Sequence, residues 1–142
     1  MAYTAKLLIR DVTCVQPSQT VAEVSLIMRD QDIGSVIVGQ GSKPLGILTE
    51  RDVSRRVVAE GLDPAKTTVK SVMSKKLVSV DASDPLDKVF ECLSSGKFRH
   101  LPILDKGEVV GIVSLTDLAK VLQQVYREDR YIQYFADIVK AK

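Results

Sequence analysis

Two aspartates lie 65 residues apart, and each stands three residues after a hydroxyl: Thr49-Glu-Arg-Asp52 and Ser114-Leu-Thr-Asp117. Each pair follows a glycine and two apolar residues, in Gly46-Ile-Leu-Thr49 and Gly111-Ile-Val-Ser114. A hydroxyl followed by an acid at this spacing has a local use at a helix start. The hydroxyl accepts from one exposed backbone amide and the acid accepts from another, the capping box in its aspartate form. The same two groups, displayed where a strand turns into a helix, also suit the capture of a small polar ligand. For either motif alone the local use is the default. Finding the arrangement twice shifts the weight toward a ligand.

The elements that position these groups are themselves written twice. Shifting the chain by 65 also pairs Val15 with Val80, Ser18 with Ser83, Val24 with Val89 and Val38 with Ile103, the self-similarity that marks a repeat architecture. Each copy reads as strand, helix, strand, strand, helix. In the first, Val12–Val15 alternates as a strand, and Thr20-Val-Ala-Glu23 is a capping box. Val21, Val24, Ser25 and Met28 then share a helical face. Ser35–Val38 and Leu45–Leu48 make a hairpin around Gly39-Gln-Gly-Ser, and a second helix is expected from near Asp52 to Gly61, with Pro64 beyond it.

In the second copy Asp84 is expected to cap a helix opened by Pro85, with Leu86, Val89, Phe90 and Leu93 inward and Gly96 as the stop. Leu101–Leu104 and Val109–Val113 form the second hairpin around Lys106-Gly107. Pro102 has no amide to give a ladder, which turns that side outward or marks an edge. The last helix is expected from Asp117. The helical crossover demands that the first strand of each copy pair in parallel with the second. The fold class is therefore α/β in the α+β sense: two βαββα repeats packed through their three-stranded sheets about a pseudo-two-fold axis, which creates two equivalent clefts.

Composition narrows the function. A length of 142 residues suits one fused unit in which two marginal halves share a core. Twenty basic against eighteen acidic residues leave a net charge of +2, too little to indicate nucleic acid. The run Lys66, Lys70, Lys75, Lys76 reads as solvated surface. The start lacks the pattern of a secretory signal, and no apolar run reaches the ~18 residues of a membrane span. These features place the expected site of action in the cytoplasm. Cys14, Cys92 and the single His100 make no metal-ligand spacing, and neither cysteine has a candidate base nearby in sequence. No enzyme, catalytic cofactor or metal is expected.

The two motifs, His100-Leu-Pro-Ile-Leu104 before the second of them, and the tandem βαββα order together resemble the CBS (cystathionine β-synthase) domain pair, or Bateman module. The resemblance covers about residues 7 to 125. It implies a regulatory sensor that binds an adenosine-containing molecule (AMP, ADP, ATP or S-adenosylmethionine) in the clefts between repeats and signals to an effector protein in trans. It implies a homodimer as well.

On that reading Asp52 and Asp117 accept hydrogen bonds from a ribose cis-diol, as a carboxylate does in dinucleotide sites. Such charge-assisted bonds are worth about 1.5–3 kcal/mol each. Thr49 and Ser114 offer hydroxyls to ribose or phosphate, and Arg51 and Thr116 lie between them. The resemblance places the base against Thr13 and Val15 with Ile33 to Val36, Gly34 among them, in one copy and against Val78 and Val80 with Phe98 to Leu101 in the other. The resemblance places Arg99 and His100, which follow Lys97, against phosphate, the alternative being a solvated loop; the first copy has Asp32, Gly34 and Ser35 at those positions and no cation. The two sites should therefore differ. The first copy also lacks a close match to Val72-Met-Ser-Lys-Lys76.

The expected division is repeat 1 over residues 7–64, a linker and entry strand over 65–76, repeat 2 over 77–125 and a C-terminal helix over 126–142. Tyr131, Tyr134, Phe135 and Ile138 recur in that helix at helical spacing, as for a dimer contact. The competing reading is a ligand-free protein-interaction adaptor in which the capping boxes serve stability alone.

Overall fold

The computed structural model describes residues 3–40, 43–128 and 137–140. The expected turn residues Gly41 and Ser42 lie outside the described residues, as do Tyr131, Tyr134 and Phe135 of the expected C-terminal helix; Ile138 falls in a helical stretch over 137–140. The chain forms two compact units. One comprises Asp11–Val78 with Lys106–Val109, and the other joins the segment ending at Arg10 to Ser79–Asp105 and to the chain from Val110 onward.

In the first unit β1 (Cys14–Val15), α1 (Val21–Gln31), β2 (Ser35–Gln40) and β3 (Lys43–Thr49) follow in order. They are succeeded by α2 (Glu50–Val53), a π-helical turn (Ser54–Val58) and α3 (Val69–Val72). The sheet order is β1-β2-β3. Strand β1 is parallel to β2, with Val15 opposite Val38, and β2 is antiparallel to β3, with Ser35 opposite Thr49. The α1 face works as its spacing requires: Val21, Val24 and Met28 are buried against Val36, Val38, Leu48 and Val57. The hydroxyl half of the box at Thr20 is present, accepting from the Glu23 amide at 3.2 Å.

The second unit is built from a 3-10 turn (Ala5–Leu8), β4 (Val80–Asp81), α4 (Leu86–Ser94), β5 (His100–Asp105), β6 (Glu108–Ser114, its first two residues grouped with the first unit) and α5 (Leu115–Glu128). Its sheet order is β4-β5-β6. Lys106 and Gly107, at φ 52° and 82°, give the hairpin two consecutive positive-φ residues, the twist that matches a two-residue turn to its strands. Pro102 is buried in the central strand β5 rather than facing outward or marking an edge, and it shapes the ladder instead. In the first unit the matching residue, Ile37, pairs with Cys14 and donates to the Thr13 carbonyl at 3.0 Å. A proline cannot donate, and β4 meets β5 one pair later, at Val80 and Ile103.

Three expected boundaries move. Helix α2 begins at Glu50 and α5 at Leu115, rather than at the aspartates, because the hydroxyl residue is the cap and the aspartate is the third residue inside. Asp84 does not cap α4. Pro85 occupies the cap position without a side-chain bond, and the Leu86 amide donates instead to the Tyr3 carbonyl at 3.0 Å. The Asp84 carboxylate turns to the Asp81 amide (2.9 Å) and to Lys88 Nζ (3.0 Å).

The missing counterpart of Val72–Lys76 is also found. Leu7-Leu8-Ile9-Arg10-Asp11 occupies the matching stretch 65 residues earlier, and the two stretches are used alike. In the first unit Ile47 and Ser74 exchange backbone bonds at 3.0 and 2.9 Å, beside Gly46. In the second, the Arg10 amide donates to the Val110 carbonyl at 3.0 Å, beside Gly111. A Cβ on Gly46 would come within 2.6 Å of the Ser74 oxygen, and one on Gly111 within 2.7 Å of the Leu8 oxygen. The glycine that opens each motif is therefore the point where an entry segment crosses the last strand. Sequence comparison misses this because the contacts are made by backbone, which leaves the side chains free to diverge.

Candidate ligand-binding site

Both hydroxyl–acid pairs form complete capping boxes. The Asp52 amide donates to Thr49 Oγ1 at 3.2 Å while the Thr49 amide donates to Asp52 Oδ2 at 3.0 Å. The Asp117 amide donates to Ser114 Oγ at 3.2 Å, and Asp117 Oδ2 receives both the Ser114 amide (3.0 Å) and the Ser114 hydroxyl (2.9 Å). Local geometry thus occupies one carboxylate oxygen of each pair. The other oxygen faces a guanidinium in both units. Asp52 Oδ1 lies 3.7 Å from Arg56 Nε, and Asp117 Oδ1 lies 3.5 Å from Arg10 Nη1. The Asp52 side chain keeps 13% of its surface exposed and that of Asp117 keeps 29%, so the second is the more open to a solute.

Around Asp52, Gly34 is joined to the start of α2, its carbonyl accepting from the Glu50 amide at 3.0 Å. Arg51 is exposed on the first turn. Thr13 precedes β1, its carbonyl used by Ile37 and its hydroxyl donating to Gln31 Oε1. Val15 is 4% exposed and belongs to the core, so only its backbone is available to a ligand. In the second unit Thr116 is exposed on the first turn of α5, beside Asp117 in the chain, while Arg99 is exposed before β5 and His100 opens β5 half-buried. Val80, like Val15, is a core side chain.

Sequence reasoning passed over Arg56 and Arg10. Arg56 was legible, because a cation four residues after an acid on a helix is a standard pair. Arg10 was not, since it reaches Asp117 from the opposite end of the sequence. Among the described residues no cluster of His, Cys, Asp or Glu could hold a metal ion, and no helix is long and apolar enough to cross a membrane.

A repeated βαββα unit with a capped carboxylate at the start of each last helix defines a class, and comparison identifies it. The CBS domain family matches twice, at residues 5–59 and 69–124. The chain belongs to the CBS domain family, as a tandem pair. It is 37% identical over 108 residues to the CBS domain-containing protein YhcV of Bacillus subtilis, covering 76% of each chain. It spans only 58% of an uncharacterized relative, MK0525 of Methanopyrus kandleri, to which it is 34% identical over 79% of its own length. A conserved protein from Pyrococcus horikoshii superposes with a TM-score of 0.78 at 30% identity, over 84% of this chain and 92% of that one. The CBS domain pair of MJ0100, solved with 5′-methylthioadenosine and S-adenosyl-L-methionine, has the same fold (TM-score 0.76, 87% of this chain and 98% of that one) at 20% identity.

Proposed function

We propose that this chain is a regulatory ligand sensor that binds adenosine-containing molecules at the starts of α2 and α5 and signals to a partner protein. The observation that carries the reading is the duplicated carboxylate. In both units Oδ2 is used by the capping box, whereas Oδ1 points to a solvent-accessible arginine and is open to exchange. With each arginine about half exposed and the contacts as long as 3.5 and 3.7 Å, such a pair is weak, near the value of about 0–1 kcal/mol for surface ion pairs. A ribose diol donating to Oδ1 replaces it at little cost. The adenosyl ligands of the MJ0100 pair support the choice of ligand class, and membership of the CBS family supports a regulatory rather than catalytic role. The expected ligands are AMP, ADP, ATP or S-adenosylmethionine, the expected assembly is a homodimer, and the expected effector acts in trans.

One observation favours the ligand-free adaptor: the capping boxes already account for the presence of both aspartates. A thermal-shift panel separates the two readings. A ligand at a hundred times its dissociation constant stabilises by about 2.7 kcal/mol. The sensor predicts that at least one adenosine-containing compound raises the melting temperature of the wild type and that Asp117→Asn or Asp52→Asn diminishes the rise. A panel that moves nothing supports the adaptor.

A further inference from the structure

The two carboxylates face different kinds of arginine, and the difference bears on what each site selects. Arg56 is held at both ends of its guanidinium. Its Nε faces Asp52, while its Nη1 donates to the Val72 carbonyl at 2.9 Å. Its position on the 65-residue repeat is taken in the second copy by Val121, apolar and 8% exposed, so α5 supplies no matching cation there. The second unit obtains one from elsewhere. Arg10 arrives on the entry segment, which is clamped by its own amide on Val110 and by the Leu8 carbonyl over Gly111. Its guanidinium stands 3.5 Å from Asp117 with 45% of the side chain exposed.

From this we infer that Arg10 is a specificity-determining residue of the second site, making that site prefer phosphorylated adenosine compounds to uncharged ones. The inference rests on the sensor reading above. A ribose hydroxyl that takes Asp117 Oδ1 displaces Arg10 from its only carboxylate contact among the described ion pairs. The backbone clamp fixes the main chain of Arg10, so the displaced guanidinium stays within side-chain reach of the ligand, where its planar fork of N–H donors suits a phosphate. An uncharged nucleoside displaces Arg10 and returns nothing to it. A nucleotide breaks one charge-assisted contact and makes another. In the first unit the Val72 carbonyl retains Arg56, so exchange onto a phosphate costs an additional hydrogen bond.

Isothermal titration of AMP and adenosine into the wild type, Arg10→Gln and Arg56→Gln tests this. The wild type is expected to favour AMP, and Arg10→Gln to reduce the ratio of AMP to adenosine affinity by about tenfold, the scale of one charge-assisted bond. Arg56→Gln should leave the ratio within about twofold of the wild type. If both compounds bind and Arg10→Gln leaves the ratio unchanged, the role of Arg10 is overturned while the sensor reading stands. If neither AMP, adenosine, ATP nor S-adenosylmethionine binds the wild type, the sensor reading fails and the inference falls with it. Both arginines are surface residues, and circular dichroism of each variant confirms that a changed ratio is not lost fold.

Discussion

Each aspartate gives one oxygen to the capping box and turns the other to an arginine, and on the proposed reading this division lets stability and binding be separated by choice of substitution. Removing the hydroxyl of a cap costs about 1 kcal/mol, which for a chain of this length lowers the melting temperature by about 3 °C. Thr49→Ala and Ser114→Ala are expected to fall in that range in a thermal melt. Asp117→Ala removes the cap partner and also leaves Arg10 without its carboxylate. Its effect on ligand binding should therefore exceed that of Ser114→Ala even where the two lose similar stability. Equal losses of binding in the two variants would mean that the carboxylate matters only through the helix start.

At the scale of elements, the entry segments and the turn before α4 make the sharper claims. Gly46→Ala and Gly111→Ala put a Cβ against backbone oxygens at 2.6 and 2.7 Å. Overpacking against unyielding backbone typically costs about 1–3 kcal/mol, and a denaturant midpoint measures it. Gly111→Ala should in addition release the segment carrying Arg10, seen as faster hydrogen exchange at the Arg10 amide.

The turn before α4 carries a pH signature. Hydrogen bonds from the Ser83 hydroxyl and amide hold the Asp81 carboxyl below its usual value, and the Asp81 amide with Lys88 does the same for Asp84. A lowered folded-state value means the contribution is present above the unfolded value and lost as pH falls through the folded one. Thermal melts between about pH 5 and pH 2 should show Asp84→Asn losing less stability than the wild type below about pH 4. Parallel curves would dissociate this turn from acid sensitivity.

For the whole molecule, duplication predicts two binding events per chain, and divergence predicts that they are unequal. Arg99 and His100 stand where the first copy has Gly34 and Ser35, and Arg10 and Arg56 reach their aspartates by unrelated routes. Titration with the preferred nucleotide is expected to resolve two steps, with Asp52→Asn and Asp117→Asn each removing a different one. A single step removed by both variants would mean that the two carboxylates serve one ligand.

The repeat, the order of elements and the position of both hydroxyl–acid pairs were legible in the sequence, because each rests on local chemistry. Periodicity of 2 or 3.6, a cap three residues before an acid and a glycine at a turn are all written within a few positions of one another. The same locality explains the misassigned cap at Asp84. A good local capping residue lost its role to the Tyr3 carbonyl, some eighty positions away. It also explains why the counterpart of Val72–Lys76 escaped notice: backbone bonding does not constrain side-chain identity. Arg10 is the clearest case. Nothing near it in the chain marks it as the partner of Asp117. The pairing exists because the entry segment crosses β6 at a glycine small enough to admit it, and only the folded backbone decides that.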